Sequence, residues 1–125
     1  MAGEELGLLS GTLDLLVLRT LAWGPQHGFA IARWIKTSSD DMLLIEDRAL
    51  YLALHRLEER GLVESQWGLS ENNRRARFYQ LTRAGRKQLQ SRTDHWTQYA
   101  AAIFKVLRAP APAPIAGSAL EAPRG

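Results

Sequence analysis

The stretch Arg48-Ala49-Leu50-Tyr51-Leu52-Ala53-Leu54-His55-Arg56-Leu57-Glu58-Glu59-Arg60-Gly61 decides how the whole chain is read. At about 100° per residue, Leu50, Leu54 and Leu57 fall on one side of a helix and face a core. Arg48, Leu52, His55 and Glu59 fall on the opposite side, flanked by Tyr51 and Arg56. A merely solvated helix tends to carry Glu and Lys outward. This one presents cations, a phenol, an imidazole and a leucine. Glu46 and Asp47 stand at its start, where the helix dipole favours acids. Gly61 fits its end as a left-handed cap.

Upstream, residues 12–23 predict a first helix. Thr12 can cap it, and Asp14 lies in its first turn. Leu13, Leu15, Leu16, Val17, Leu18 and Leu21 make it apolar on most sides, so it should be central. Gly24-Pro25 ends it. A second helix begins after His27-Gly28, with Phe29, Ile31, Trp34 and Ile35 on the side expected to be buried. Ser38 to Asp41 form a polar connection to the decisive helix.

Downstream, Leu62–Trp67 and Arg77–Leu81 alternate as strands. Gly68–Ala76 joins them through turn-forming Gly, Ser and Asn residues. The result is a β-hairpin with Arg74 and Arg75 at its tip and Arg77 opening its second strand. Thr82 can cap a last, long helix. Leu89, Trp96 and Ile103 recur there at seven-residue spacing, joined by Tyr99 and Val106. Such a stripe packs on its own domain or forms a helix–helix seam; the spacing favours a dimer interface of Leu89, Trp96, Tyr99, Ile103 and Val106. Beyond Arg108 the chain becomes Ala/Pro-rich and reads as a flexible tail.

Charge is unevenly placed along the 125 residues, whose net charge is +3. Residues 1–71 hold six Lys/Arg and eleven Asp/Glu, whereas residues 72–93 hold seven Lys/Arg and no acid. A block of that density suits a polyanion. The order helix, helix, helix, strand, basic turn, strand, long helix is the winged helix-turn-helix plan. The expected fold is therefore mostly α with a small β-hairpin wing, plus a C-terminal dimerisation helix. The expected divisions are residues 8–82 for DNA binding, 83–108 for dimerisation and 109–125 for the tail.

The run from Leu50 to Glu58, then Gly61-Leu62 and Trp67, resembles the PadR-like transcriptional regulators. So does Arg74-Arg75-Ala76-Arg77-Phe78-Tyr79-Gln80-Leu81-Thr82 followed by Gly85, and so does His27-Gly28. The resemblance covers about Leu8 to Leu107. It implies a homodimer built by the last helix, repression of nearby genes and, in some members, release by a small ligand. The founding members respond to phenolic acids, whereas the C-terminal part here, a single helix, is short like that of the compact branch. The usual Gly-Ser-Leu-Tyr-Pro-Ala-Leu becomes Arg48-Ala49-Leu50-Tyr51-Leu52-Ala53-Leu54 in this chain. A hydroxyl is thereby lost at Ala49, a charge gained at Arg48, and an apolar group turned outward at Leu52, where a thymine methyl is one possible contact.

The candidate DNA-binding residues are Arg48, Tyr51, Leu52, His55 and Arg56 on the helix, with Asn72, Asn73, Arg74, Arg75 and Arg77 on the hairpin. The arginines offer a planar fork suited to phosphate; the asparagines also serve simply as turn residues. The partners implied are double-stranded DNA and a second copy of the chain. An acidic protein bound by the hairpin is the alternative. Trp34, Trp67, Trp96 and Tyr99 leave two readings open, core packing or the lining for a small aromatic effector; core is the commoner use of aromatics.

No cofactor or metal is expected. His27, His55 and His95 lack metal-ligand spacing, and the chain has no cysteine. No nucleophile elbow, phosphate loop or zinc-protease motif appears, and Asp40, Asp41, Glu46 and Asp47 read as loop and helix-start acids, so an enzyme is not expected. No signal peptide or bilayer-length apolar run is seen, and a cytoplasmic location is expected.

Overall fold

The computed structural model describes residues 11–114. The expected domain start at residue 8 and the tail beyond residue 114 lie outside the described residues. Four helices and a small antiparallel sheet follow in the order α1 (Thr12–Leu21), β1 (Gln26–His27), α2 (Gly28–Ser38), α3 (Asp47–Glu59), β2 (Val63–Leu69), β3 (Arg75–Leu81) and α4 (Arg83–Leu107).

The core forms where the apolar faces of these elements meet. Val17, Leu18 and Leu21 of α1 pack with Ile31 and Ile35 of α2 and with Leu50, Leu54 and Leu57 of α3. Val63, Tyr79 and Leu81 close it from the sheet, and Leu89 from α4. The spacing of the three α3 leucines thus does what its period requires. α1 is central as expected, and two of its polar residues are buried with partners. Thr20 Oγ1 donates to the Leu16 carbonyl at 2.9 Å. Asp14 meets Arg56 of α3.

Several local expectations are corrected. Gly11, not Thr12, is the N-cap of α1; it takes φ 83°, and Thr12 is already helical. Phe29 and Trp34 are not buried: they are 68% and 37% exposed, and only Ile31 and Ile35 carry that side of α2 into the core. The strands run longer than expected at the hairpin end, leaving the turn to Ser70–Arg74. Asn73 adopts φ 59° there, and its N–H donates to the Ser70 carbonyl at 2.8 Å.

The sheet has the order β1-β3-β2. Its edge strand β1 is two residues long and pairs Gln26 with Tyr79 and His27 with Phe78. β2 and β3 pair Val63 with Leu81, Ser65 with Tyr79 and Trp67 with Arg77. One face of the hairpin therefore enters the core near its base and becomes solvent-facing toward its tip.

α4 begins as expected. Thr82 Oγ1 accepts from the Gly85 N–H at 3.0 Å and donates to the Gly61 carbonyl at 2.6 Å, tying the helix start to the end of α3. The seven-residue stripe then divides. Leu89 is buried in the core of its own chain and is no part of an exposed seam. Trp96, Tyr99, Ile103 and Val106 are 40–76% exposed, as are Phe104 and Leu107. Among the described residues, no helix is long and apolar enough to cross a membrane.

Candidate nucleic-acid interface

α2 and α3 form the helix-turn-helix. Asp40 and Asp41, both at positive φ (52° and 66°), turn the chain between them. The Ser39 hydroxyl receives the Leu43 N–H at 3.0 Å and steadies that turn. Buried leucines fix α3 along one face, so Arg48, Tyr51, Leu52 and His55 on the other face are exposed. At its far end, Gly61 takes φ 72° and the Leu62 N–H reaches the Leu57 carbonyl at 2.9 Å. This left-handed closure sends the chain directly into the wing.

Tyr51 and the wing share one open groove of about 740 Å³. Asn72, Arg74, Arg75 and Arg77 line it from the wing, Tyr51 from α3, and His27 and Phe29 from the start of α2. The His27-Gly28 pair builds this corner. His27 Nδ1 accepts from the Ala30 N–H at 3.2 Å and so caps α2. Its ring meets Phe78 edge-on at 5.4 Å. A side chain at Gly28 would place a Cβ 3.0 Å from Tyr51 Oη, so the glycine leaves room for the phenol. That role could be anticipated from the motif but not from helical periodicity.

The wing arginines differ in their surroundings. Arg74 and Arg75 form no ion pair with any other described residue. Arg75 lies over the Trp67 ring, 4.5 Å from its centre, which orients the cation without neutralising it. Arg77 instead donates through Nε to Ser65 Oγ at 2.9 Å and pairs with Glu58 at 3.4 Å. Asn73 shapes the turn, whereas Asn72 faces the groove.

On α3, His55 Nε2 lies 3.0 Å from Glu59 Oε1. It shares a smaller hollow of about 400 Å³ with Tyr51, Glu58, Arg77 and Tyr79. Burial pushes the Tyr79 phenol up from its ordinary value of 10.0, against the opposing pull of the Arg77 cation. Arg56 lies apart from the others. Its guanidinium meets Asp14 Oδ1 at 2.8 Å and lines a different groove, of about 920 Å³, with Arg60, Arg92, His95 and Trp96. The structure thus brings Tyr51, Asn72, Arg74, Arg75 and Arg77 together and turns Arg56 away from them.

The four aromatic residues considered for an effector site are not gathered within one chain. Trp34 of α2 lines a cleft with Trp23, just past the end of α1, Trp67 sits on the wing, and Trp96 meets Tyr99 on α4. Nor are they core, since all four are at least 37% exposed.

A helix-turn-helix followed by a basic two-stranded wing, with an exposed mixed face on the second helix, defines the winged-helix transcriptional regulators. The chain matches the transcriptional regulator PadR-like family over residues 17–91 and belongs to that family. It is similar to a transcriptional regulator from Clostridium thermocellum (TM-score 0.70, 28% identity, covering 79% of this chain and 97% of the other). It is similar to a PadR family regulator from Clostridium difficile (TM-score 0.69, 25% identity, 78% of this chain and 99% of the other). A third likeness is to a PadR family regulator from Eggerthella lenta (TM-score 0.67, 29% identity, 80% and 85%). The protein is a DNA-binding regulator of transcription.

Proposed function

We propose that the protein represses transcription as a homodimer bound to an inverted-repeat operator. The observation that carries the DNA side of this reading is the groove shared by Tyr51, Arg74 and Arg75, two arginines that pair with no acid among the described residues. In that arrangement the N-terminal half of α3 enters the major groove, where base edges carry a distinguishing code. Arg48, Tyr51 and Leu52 lie on that half. The wing tip lies along the phosphates.

The second half of α4 supports the homodimer. Trp96, Tyr99, Ile103 and Val106 form an exposed apolar strip on a helix that reaches beyond the core. Large exposed apolar patches mark interaction surfaces, and a two-fold pairing of this helix would cover the strip on both copies. A two-fold protein mirrors its symmetry in its site, with half-site centres about one helical turn, roughly 34 Å, apart. A dimer spanning such a site represses by occupying a promoter in the cytoplasm.

Footprinting on a duplex selected by the protein from a random-sequence pool tests this. Two protected half-sites related by inversion are expected. Protection of a single asymmetric half-site would contradict the dimeric mode, and failure to select any duplex would contradict the sequence-specific reading altogether.

A further inference from the structure

One contact ties three elements at a single point beside the groove. Glu58 comes from α3, Ser65 from β2 and Arg77 from β3. Arg77 Nε donates to Ser65 Oγ at 2.9 Å, and that hydroxyl donates to Glu58 Oε2 at 2.7 Å. The Arg77 NH2 group closes the triangle on the same carboxylate at 3.4 Å. Each bond in such a chain polarises the next. The chain is half-screened from water, with Arg77 and Glu58 side chains 47% and 33% exposed.

We infer that Arg77 is a positioning residue that sets the angle between the recognition helix and the wing, and that it is not one of the phosphate contacts. Its charge is matched by Glu58, so it adds little to the field met by a phosphate. Arg74 and Arg75, which pair with no acid among the described residues, serve that purpose instead. The geometry also explains why an arginine stands at this position. A planar fork reaches Ser65 through Nε and Glu58 through a terminal nitrogen at once, which a lysine ammonium cannot do with the same geometry.

The consequence is mechanical. The main chain joins α3 to β2 through the tight closure at Gly61. The Glu58–Ser65–Arg77 chain braces the same junction from the side of the groove. Tyr51 and Arg77 line the same two hollows, so a wing released from this brace would shift the phosphate-binding tip relative to the base-reading helix. Simultaneous contact with base edges and phosphates depends on that distance. The assignment rests on the DNA-binding reading above.

The test measures affinity and its salt dependence on a duplex that the wild-type protein selects from a random pool, beside a scrambled duplex. The variants are Arg77→Ala, Glu58→Gln, their combination, Arg77→Lys and Ser65→Ala, with urea unfolding to show that each is folded. Arg77→Ala should weaken binding to the selected duplex about tenfold, and adding it to Glu58→Gln should cost only about twofold more, because coupled residues are not additive. The salt slope should stay at the wild-type value in Arg77→Ala, Arg77→Lys and Ser65→Ala, since none of them removes a phosphate contact, whereas Glu58→Gln frees the Arg77 cation and is used only for the affinity comparison. Arg77→Lys should not restore affinity, and Ser65→Ala, which changes no charge, should reproduce most of the loss. If Arg77→Ala lowers the slope by about one unit, costs as much in the Glu58→Gln background and is rescued by lysine, Arg77 is a phosphate contact and the inference is overturned. If the wild type selects no duplex, the DNA-binding reading beneath it fails instead.

Discussion

The guanidinium of Arg56, on the recognition helix, lies 2.8 Å from the carboxylate of Asp14, buried on α1. Arg56 is itself about half exposed, so the pair joins a dry acid to a wet base. Removing the base leaves the acid buried and uncompensated. Breaking a fully buried pair costs about 3–5 kcal/mol, and the solvent access of Arg56 reduces the expected loss to about 2 kcal/mol. Arg56→Ala should therefore lower stability to urea by that amount at neutral pH while leaving base preference as in the wild type. A variant that unfolds like the wild type but loses preference at one base pair would return Arg56 to the base-reading set.

Gly85 and Gly11 separate two reasons for a glycine. A Cβ at Gly85 would run into the Leu62 carbonyl oxygen, which already accepts from the Thr82 N–H. The backbone must move, and Gly85→Ala should cost about 3 kcal/mol, the upper range for overpacking. At Gly11 no described residue lies within 4 Å of such a Cβ, but φ is +83°. Gly11→Ala should cost about 1 kcal/mol through backbone strain. Denaturant titrations at one fixed protein concentration compare the two. Equal losses would mean that the α4 start does not approach Leu62 as closely as described.

The α4 strip makes a separable prediction about assembly. Ile103 is 42% exposed in the single chain, so Ile103→Asp should change the folding of the protomer by no more than about 0.5 kcal/mol, as surface substitutions do. In a dimer the same change would bury a charge against apolar neighbours, which is costly. Sedimentation at about 10 μM should show a dimer for the wild type and a monomer for the variant, a concentration at which a standard-sized interface holds. A wild type that sediments as a monomer would remove α4 as a dimer seam.

These relationships also show which parts of the molecule could be read from sequence. Periodicity located the leucine face of α3, and turn chemistry located Gly61 and the Thr82 cap, because each depends on neighbours a few residues away. Phe29 and Trp34 failed the same logic. They lie near the buried side of α2, but the helix offers the core only its Ile31–Ile35 edge. Leu89 kept its period yet changed its partner, since α4 serves the core first and projects from it afterwards. Two residues at β1 are too few to show alternation. The ion pairs of Arg56 and Arg77 join residues 42 and 19 positions apart, and no local pattern marks them. Sequence therefore listed the arginines, and only the fold divided them into paired and free.

The division of labour between wing and helix is tested most directly by the salt dependence of binding. Log affinity for selected and scrambled duplexes is measured against log salt concentration for the wild type, Arg74→Ala, Arg75→Ala and Arg48→Ala. Each wing substitution should lower the slope by about one unit and weaken both duplexes alike, because phosphates carry charge but no sequence information. Arg48→Ala should cost about 1–3 kcal/mol on the selected duplex only and relax preference at one position. Unchanged slopes for both wing variants, or a wing substitution that alters base preference while Arg48→Ala alters only the slope, would contradict the assignment of wing to backbone and helix to bases.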